Sequence, residues 1–173
     1  MKVLIVIDVQ NDFVTGALGT PEAIKIIPNV KKKIKEYTDA GYRVIFTRDT
    51  HDVDYLITNE GKHLPVEHCI FGTEGWDIVD GVDIPEYENV EYINKTTFGF
   101  TKWFNNKFKD DDEIEIVGLC TDICVVSNAL IIKSLFPNLD IKVDASCCAG
   151  VTPQTHKSAL ETMRMCQIEI VGE

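Results

Sequence analysis

A chain of 173 residues, 45% hydrophobic and 26% charged, has the make-up of an ordinary soluble globule and can bury a sizeable core, so a single domain over residues 1–173 is expected. Its 28 acidic and 17 basic residues leave a formal charge of −11, which works against phosphate backbones and anionic membrane surfaces as partners. Apolar stretches fall short of a membrane span and a strand pattern begins at Lys2, so we expect no nucleic acid, no membrane and a cytoplasmic location, with the six cysteines as free thiols.

Lys2-Val3-Leu4-Ile5-Val6-Ile7 is almost continuously apolar and β-branched, the pattern of a strand buried on both faces of a parallel sheet. It runs out into Asp8-Val9-Gln10-Asn11-Asp12-Phe13. Residues 21–40 read as an amphipathic helix with Ile24, Ile27, Val30, Ile34 and Tyr37 on one face, stopped by Gly41. Arg43-Val44-Ile45-Phe46-Thr47-Arg48 is a second strand and delivers Asp49-Thr50-His51 at its end. Residues 52–83, broken by five glycines and prolines, read as a long structured loop with one short helix near Trp76, and loops of that length are usually functional.

Glu91-Tyr92-Ile93-Asn94-Lys95 is a third strand, followed by a short helix over residues 100–108 and a solvated turn, Lys109-Asp110-Asp111-Asp112. The run Ile114-Glu115-Ile116-Val117-Gly118 then leads through Leu119-Cys120-Thr121-Asp122-Ile123-Cys124 into a helix over residues 125–136. Thr121 and Asp122 are good N-cap residues, which puts Cys124 in a first helical turn. A strand at residues 140–145, a helix at 155–165 and a strand at 167–171 complete the chain. Strands alternating with helices give a three-layer parallel α/β fold, with the first strand central.

In such sheets functional groups gather beyond the carboxyl ends of the strands. Asp8, Lys95 and Cys124 all fall there. Unpaired N–H groups and the helix dipole would favour a Cys124 thiolate and lower its pKa; equally, a cysteine is often a small buried hydrophobe. Asp8 could be a proton acceptor or a brace for its loop. Together the three supply a base, a cation and a nucleophile. Asp49-x-His51, with His68 and Glu60 from the long loop, could chelate one metal with a position left open, or be surface polar residues. Phe13, Trp76, Phe98 and Phe100 could wall an aromatic slot, Phe13 foremost, or be core. His63 and His156 show no partner in the sequence and read as surface residues.

The segments Asp8-Val9-Gln10-Asn11-Asp12-Phe13, Lys95-Thr96-Thr97-Phe98-Gly99-Phe100 and Gly118-Leu119-Cys120-Thr121-Asp122-Ile123-Cys124-Val125 resemble those of the isochorismatase-like cysteine hydrolases, in particular the nicotinamidase-like branch. The resemblance implies a three-layer α/β/α, Rossmann-like fold on a six-stranded parallel sheet. It implies a catalytic triad of Asp8, Lys95 and Cys124, a cis peptide between Leu119 and Cys120, and an oxyanion hole from the backbone N–H groups of Cys120 and Cys124. It also implies one divalent metal, zinc first and otherwise iron or manganese, on Asp49, His51 and His68. Many nicotinamidases have a further His after Asp-x-His; this chain has none there, and Glu60 is the substitute. A Trp-His-Pro stretch common in that branch is also absent. The implied activity is hydrolysis of a small-molecule amide, nicotinamide foremost, through a thioester on Cys124, by a homo-oligomer; the alternatives are another amide, carbamoyl or vinyl-ether substrate, or a silent binding protein on the same fold.

Overall fold

In the computed structural model, which describes residues 1–106 and 108–173, the chain forms a six-stranded all-parallel sheet in the order β3-β2-β1-β4-β5-β6. The strands are β1 Lys2–Ile7, β2 Arg43–Asp49, β3 Val90–Lys95, β4 Glu113–Leu119, β5 Asp140–Ala149 and β6 Glu169–Val171. β1 is central, as its uninterrupted apolar run predicts, and its alternate residues feed two cores. Val3, Ile5 and Ile7 pack beneath the helices α4 (Val126–Leu135) and α5 (Pro153–Met165), while Leu4 and Val6 pack beneath α2 (Pro21–Asp39). Helices on the two faces make the outer layers, and the short α1 (Asn11–Val14) follows β1 directly. Among the described residues no helix is long and apolar enough to cross a membrane.

α2 starts where Thr20 Oγ1 accepts the Ala23 N–H at 3.0 Å and Pro21 takes the first turn. Its buried stripe is Ala23, Ile26, Val30, Ile34 and Tyr37, so the face is rotated from the one expected: Ile24 is exposed and Ile27 only flanks the core. The last strand begins at Glu169, two residues later than expected, because Gln167 and Ile168 turn back to the end of α5 through N–H bonds to Arg164 and Met163 carbonyls. β5 is longer than expected and takes in the buried pair Cys147 and Cys148.

Two expected helices are replaced. In residues 52–83 the helical pieces are a 3-10 turn at Tyr55–Ile57 and α3 at Asn59–His63, not near Trp76. The Trp76 region is held by hydrogen bonds from elsewhere: Gln10 Nε2 donates to the Trp76 carbonyl at 2.8 Å, and Asn11 Nδ2 to that of Glu74 at 2.8 Å. Of the helix expected over 100–108, a 3-10 turn at Trp103–Asn106 is present, and Lys107 lies outside the described residues. Here the buried Asn128 of α4 organises the chain, its Oδ1 accepting from the Phe100 N–H and Trp103 Nε1, both at 2.9 Å.

β1 and β4 come together closely where the site forms. Gly118 has φ +122°, and a Cβ there would stand 2.1 Å from the Ile7 carbonyl oxygen. A side chain at 118 would therefore push the two central strands apart just below Asp8.

Candidate active site

The sheet order reverses at β1: β2 and β3 lie on one side of it, β4 to β6 on the other. A crevice opens beyond the strand ends at such a point. Asp8 leaves the end of β1 with φ +47°, in the left-handed region that costs a non-glycine residue energy. Lys95 is the last residue of β3, and Cys124 sits in a π-helical turn, Thr121–Val125, after β4. All three are buried: Asp8 is 0%, Lys95 2% and Cys124 5% exposed.

The structure brings these three together. Lys95 Nζ lies 2.6 Å from Asp8 Oδ2 and 3.6 Å from Cys124 Sγ. Thr47 Oγ1 donates to Asp8 Oδ1 at 2.6 Å. Asp8 Oδ2 is different. It is fully buried, and although the ammonium stands against it as an ion pair, among the described residues no donor reaches it in hydrogen-bonding geometry. This oxygen and the Cys124 sulfur thus stand on either side of the same ammonium.

Burial sets the proton affinities, and it corrects one expectation. The Cys124 thiol is not lowered. Burial, with the Asp8 charge adding to it, pushes it well above the usual thiol value, and Lys95 only partly offsets this. Neither Thr121 nor Asp122 caps the turn; Cys120 occupies the cap position and offers no side-chain bond. A resting thiol needs a base. Asp8 is raised too, by burial against the pull of Lys95, which makes it a stronger proton acceptor than a surface aspartate. Lys95 is held firmly charged by Asp8, with Asp49 behind it, in spite of its own burial.

Asp49, His51, Glu60 and His68 also converge, each offering one ligand atom, with these atoms all within 4.8 Å of one another. His51 Nε2 is 3.0 Å and His68 Nε2 3.6 Å from Asp49 Oδ2. The two imidazoles lie 3.6 and 3.8 Å from Glu60 Oε1. His68 Nδ1 is 2.8 Å from the Val66 carbonyl, which can only accept, so the proton is on Nδ1 and Nε2 turns a lone pair to the carboxylates. Such a cluster needs positive charge at its centre, from extra protons or from a metal ion. Asp49, despite burial, is held well below the usual carboxylate range by His51, His68 and Lys95, and His68 is raised by Asp49 against its own burial. Two imidazoles and two carboxylates on three separate segments fit a divalent cation.

A cavity of about 290 Å³ joins the two groups, lined by Asp49, Glu60 and His68 on one side and Cys120 and Cys124 on the other. Phe13 and Phe98 wall it, with the Phe13 ring 5.6 Å from that of His68. Trp76 and Phe100 do not line it. Trp76 sits under Arg48 and donates to Thr50 at 2.9 Å, and Phe100 packs edge-on against Trp103. Leu18, Leu64 and Val151 also line the cavity, and nothing in their sequence context signals it.

Two residues matter more than the sequence reading allows. Gln10, fully buried, accepts the Asp49 N–H at 2.7 Å and donates to the Asp49 carbonyl at 2.9 Å, fixing the carboxylate that both groups share. The signal for it was the run of amide and acid side chains directly after a buried strand. His156 is not a free surface residue: its Nδ1 is 2.8 Å from Thr121 Oγ1. His63 does stay local, bonded to the Asn59 carbonyl one turn back. The peptide between Leu119 and Cys120 is cis.

Fold and site together define a parallel three-layer α/β protein with a buried cysteine, lysine and aspartate at its switch point. The chain belongs to the isochorismatase family: the isochorismatase domain matches residues 2–172. It is similar to the nicotinamidase/pyrazinamidase of Mycobacterium tuberculosis, 28% identical with 99% of this chain and 98% of that one covered. The solved nicotinamidase/pyrazinamidase of Bacillus subtilis superposes with a TM-score of 0.85 at 28% identity over 98% of each chain. A pyrazinamidase of Pyrococcus horikoshii, solved in complex with zinc, does so with a TM-score of 0.82 at 28% identity over 99% of each.

Proposed function

We propose that this chain is, as one domain over residues 1–173, a cysteine amidohydrolase that converts nicotinamide and water to nicotinate and ammonia. The observation that carries the reading is the shared cavity, in which the Cys124 turn faces Asp49, Glu60 and His68 across a gap the size of a small ring. Asp8 takes the Cys124 proton as Sγ attacks the amide carbon. The carbonyl oxygen, now negative, is met by the N–H groups of Cys120 and Cys124. Asp8 then passes its proton to the departing nitrogen, ammonia leaves, and a thioester remains on Sγ. Asp8 next removes a proton from water, which attacks the thioester; the acid is released and Sγ takes that proton back from Asp8, restoring the thiol. Lys95 holds Asp8 in place and balances the anions through both halves.

Asp49, His51, Glu60 and His68 are the residues that would hold a divalent metal, zinc in this reading. When bound, it supplies a Lewis-acid contact for a heteroatom of the substrate ring. Phe13 stacks against that ring. A neutral substrate is favoured because the cavity is lined by no lysine or arginine among the described residues and its two carboxylates would already balance the divalent metal, which leaves no excess positive charge to receive a dianion.

Ammonia release from nicotinamide and pyrazinamide by metal-loaded protein, with metal content measured alongside, tests the reading. Turnover of both amides is expected. No ammonia from either, together with turnover of another amide or a carbamoyl compound, would remove nicotinamide and keep the hydrolase.

A further inference from the structure

The turn that carries Cys124 begins without a cap of its own. Elsewhere Thr20, Thr58 and Thr152 each accept an N–H of the helix they precede. The two cap-type residues of this turn spend their side chains on a different element. Thr121, fully buried, meets His156 Nδ1 at 2.8 Å, and Asp122 accepts the Val151 N–H at 3.0 Å. His156 stands in the first turn of α5, where its own N–H bonds to the Thr152 carbonyl at 3.0 Å. That helix start is firm, with Pro153 at its head and a reciprocal Thr152–Thr155 capping box. Gly150 lets it approach: a Cβ at 150 would come within 2.9 Å of the His156 Cβ.

We propose that His156 is a positioning residue for the nucleophile: through Thr121 it anchors the uncapped Cys124 turn to the rigid head of α5, with Asp122–Val151 as the second tie. The inference rests on the amidohydrolase reading for its kinetic consequence, not for its geometry. A turn left to fray would let Sγ and the N–H groups around it drift from the attack geometry, and displacements near 1 Å can cost about a hundredfold in rate. Val151 also lines the cavity, so the same corner shapes the substrate's wall.

The test uses His156→Leu, which removes the bond, and His156→Asn, whose amide can replace Nδ1. Two readouts are taken: kcat and KM for nicotinamide, and the rate at which iodoacetamide alkylates Cys124, read by peptide mass. The second needs no substrate. If nicotinamide is not turned over by wild-type protein, the functional reading fails while the alkylation rates still decide this one. For His156→Leu, kcat should fall about tenfold or more with KM within about twofold, alkylation should slow in parallel, and the Asn variant should recover most of both. Rates within about twofold of wild type, or losses that follow a lowered Tm and are not recovered by Asn, overturn the proposal. Should His156→Leu not fold, Thr121→Val removes the same bond from the other side at constant shape. It must show the same loss, and wild-type alkylation in that variant overturns the proposal equally.

Discussion

The sheet carries two sets of buried charges, and they are built on opposite plans. Midway along β4 and β5, Glu115 accepts from Lys33 Nζ at 2.8 Å and from the Tyr37 hydroxyl at 2.6 Å, with Lys142 at 3.5 Å. Lys33 also reaches Asp144 at 2.9 Å, and Ser146 donates twice to Asp144 Oδ1, at 3.0 and 2.6 Å. Both oxygens of Glu115 accept from a donor in good geometry, Asp144 takes two donors on Oδ1 with the Lys33 ammonium beside Oδ2, and among the described residues neither carboxylate has a buried oxygen without a hydrogen-bond partner. At the strand ends Asp8 is as deeply buried, yet one of its oxygens lacks a well-aligned donor and its backbone sits at positive φ. A completed network holds structure and has no proton to give. An incomplete one is costly at rest and free to act, which is where strain and unmet polarity are expected in a functional site.

The sharpest way to break this contrast is Cys124→Ala. Turnover should drop more than about 10³-fold, while stability changes by less than about 1 kcal/mol because only one sulfur is removed. Ammonia release and thermal melting read the two quantities, and residual turnover near wild type would place the chemistry elsewhere. Asp8→Asn comes next. It keeps the shape but cannot take the thiol proton, and a loss of about 10²–10⁴-fold in kcat is expected. The wild-type pH profile carries the same assignment. Burial raises Asp8 above the ordinary 3.8, and only the ionised form accepts a proton, so the acid limb of kcat/KM should fall above that value. A limb at or below 3.8 would mean another group titrates.

Lys33→Met tests the other region and should behave inversely. It leaves Glu115 and Asp144 without their shared cation, with Lys142, 3.5 Å from Glu115, as the remaining positive charge beside them. Chemical denaturation should show a loss of about 2–4 kcal/mol, with kcat within about twofold. A stable variant with impaired turnover would erase the distinction between the two regions.

The strand-end site was legible because its signals are local. An apolar run that stops at Asp8, or one that hands over to Asp49 and Lys95, marks a strand end within a few residues, and a parallel sheet puts strand ends on one edge. The Lys33–Glu115–Asp144 network was not legible. Glu115 interrupts the otherwise apolar run Ile114-Glu115-Ile116, and nothing near it in sequence names a lysine on α2 as its partner. His156 and Gln10 were missed for the same reason, since their partners are set by packing between elements. The thiol expectation failed differently. A helix-start argument favours the anion, but it takes no account of desolvation, and at Cys124 desolvation is the larger effect.

The smallest expected effect separates the regions by pH. Burial opposes the Asp144 charge, but Ser146 and Lys33 more than offset it and hold the carboxyl below its ordinary value. A depressed folded value means that the unfolded chain binds the proton more tightly. The contribution of Asp144 is therefore complete above the unfolded value of about 3.9 and is lost as pH falls through the folded one. Asp144→Asn removes that contribution at every pH. Its stability should lie below wild type at neutral pH by about 1 kcal/mol, Asp144 being near solvent-reachable Lys33, and the two proteins should converge on acidification below about pH 4. Urea titrations at stepped pH measure this directly. Curves that stay parallel down to the lowest pH would mean that the Asp144 carboxylate is not held by its partners in the folded state.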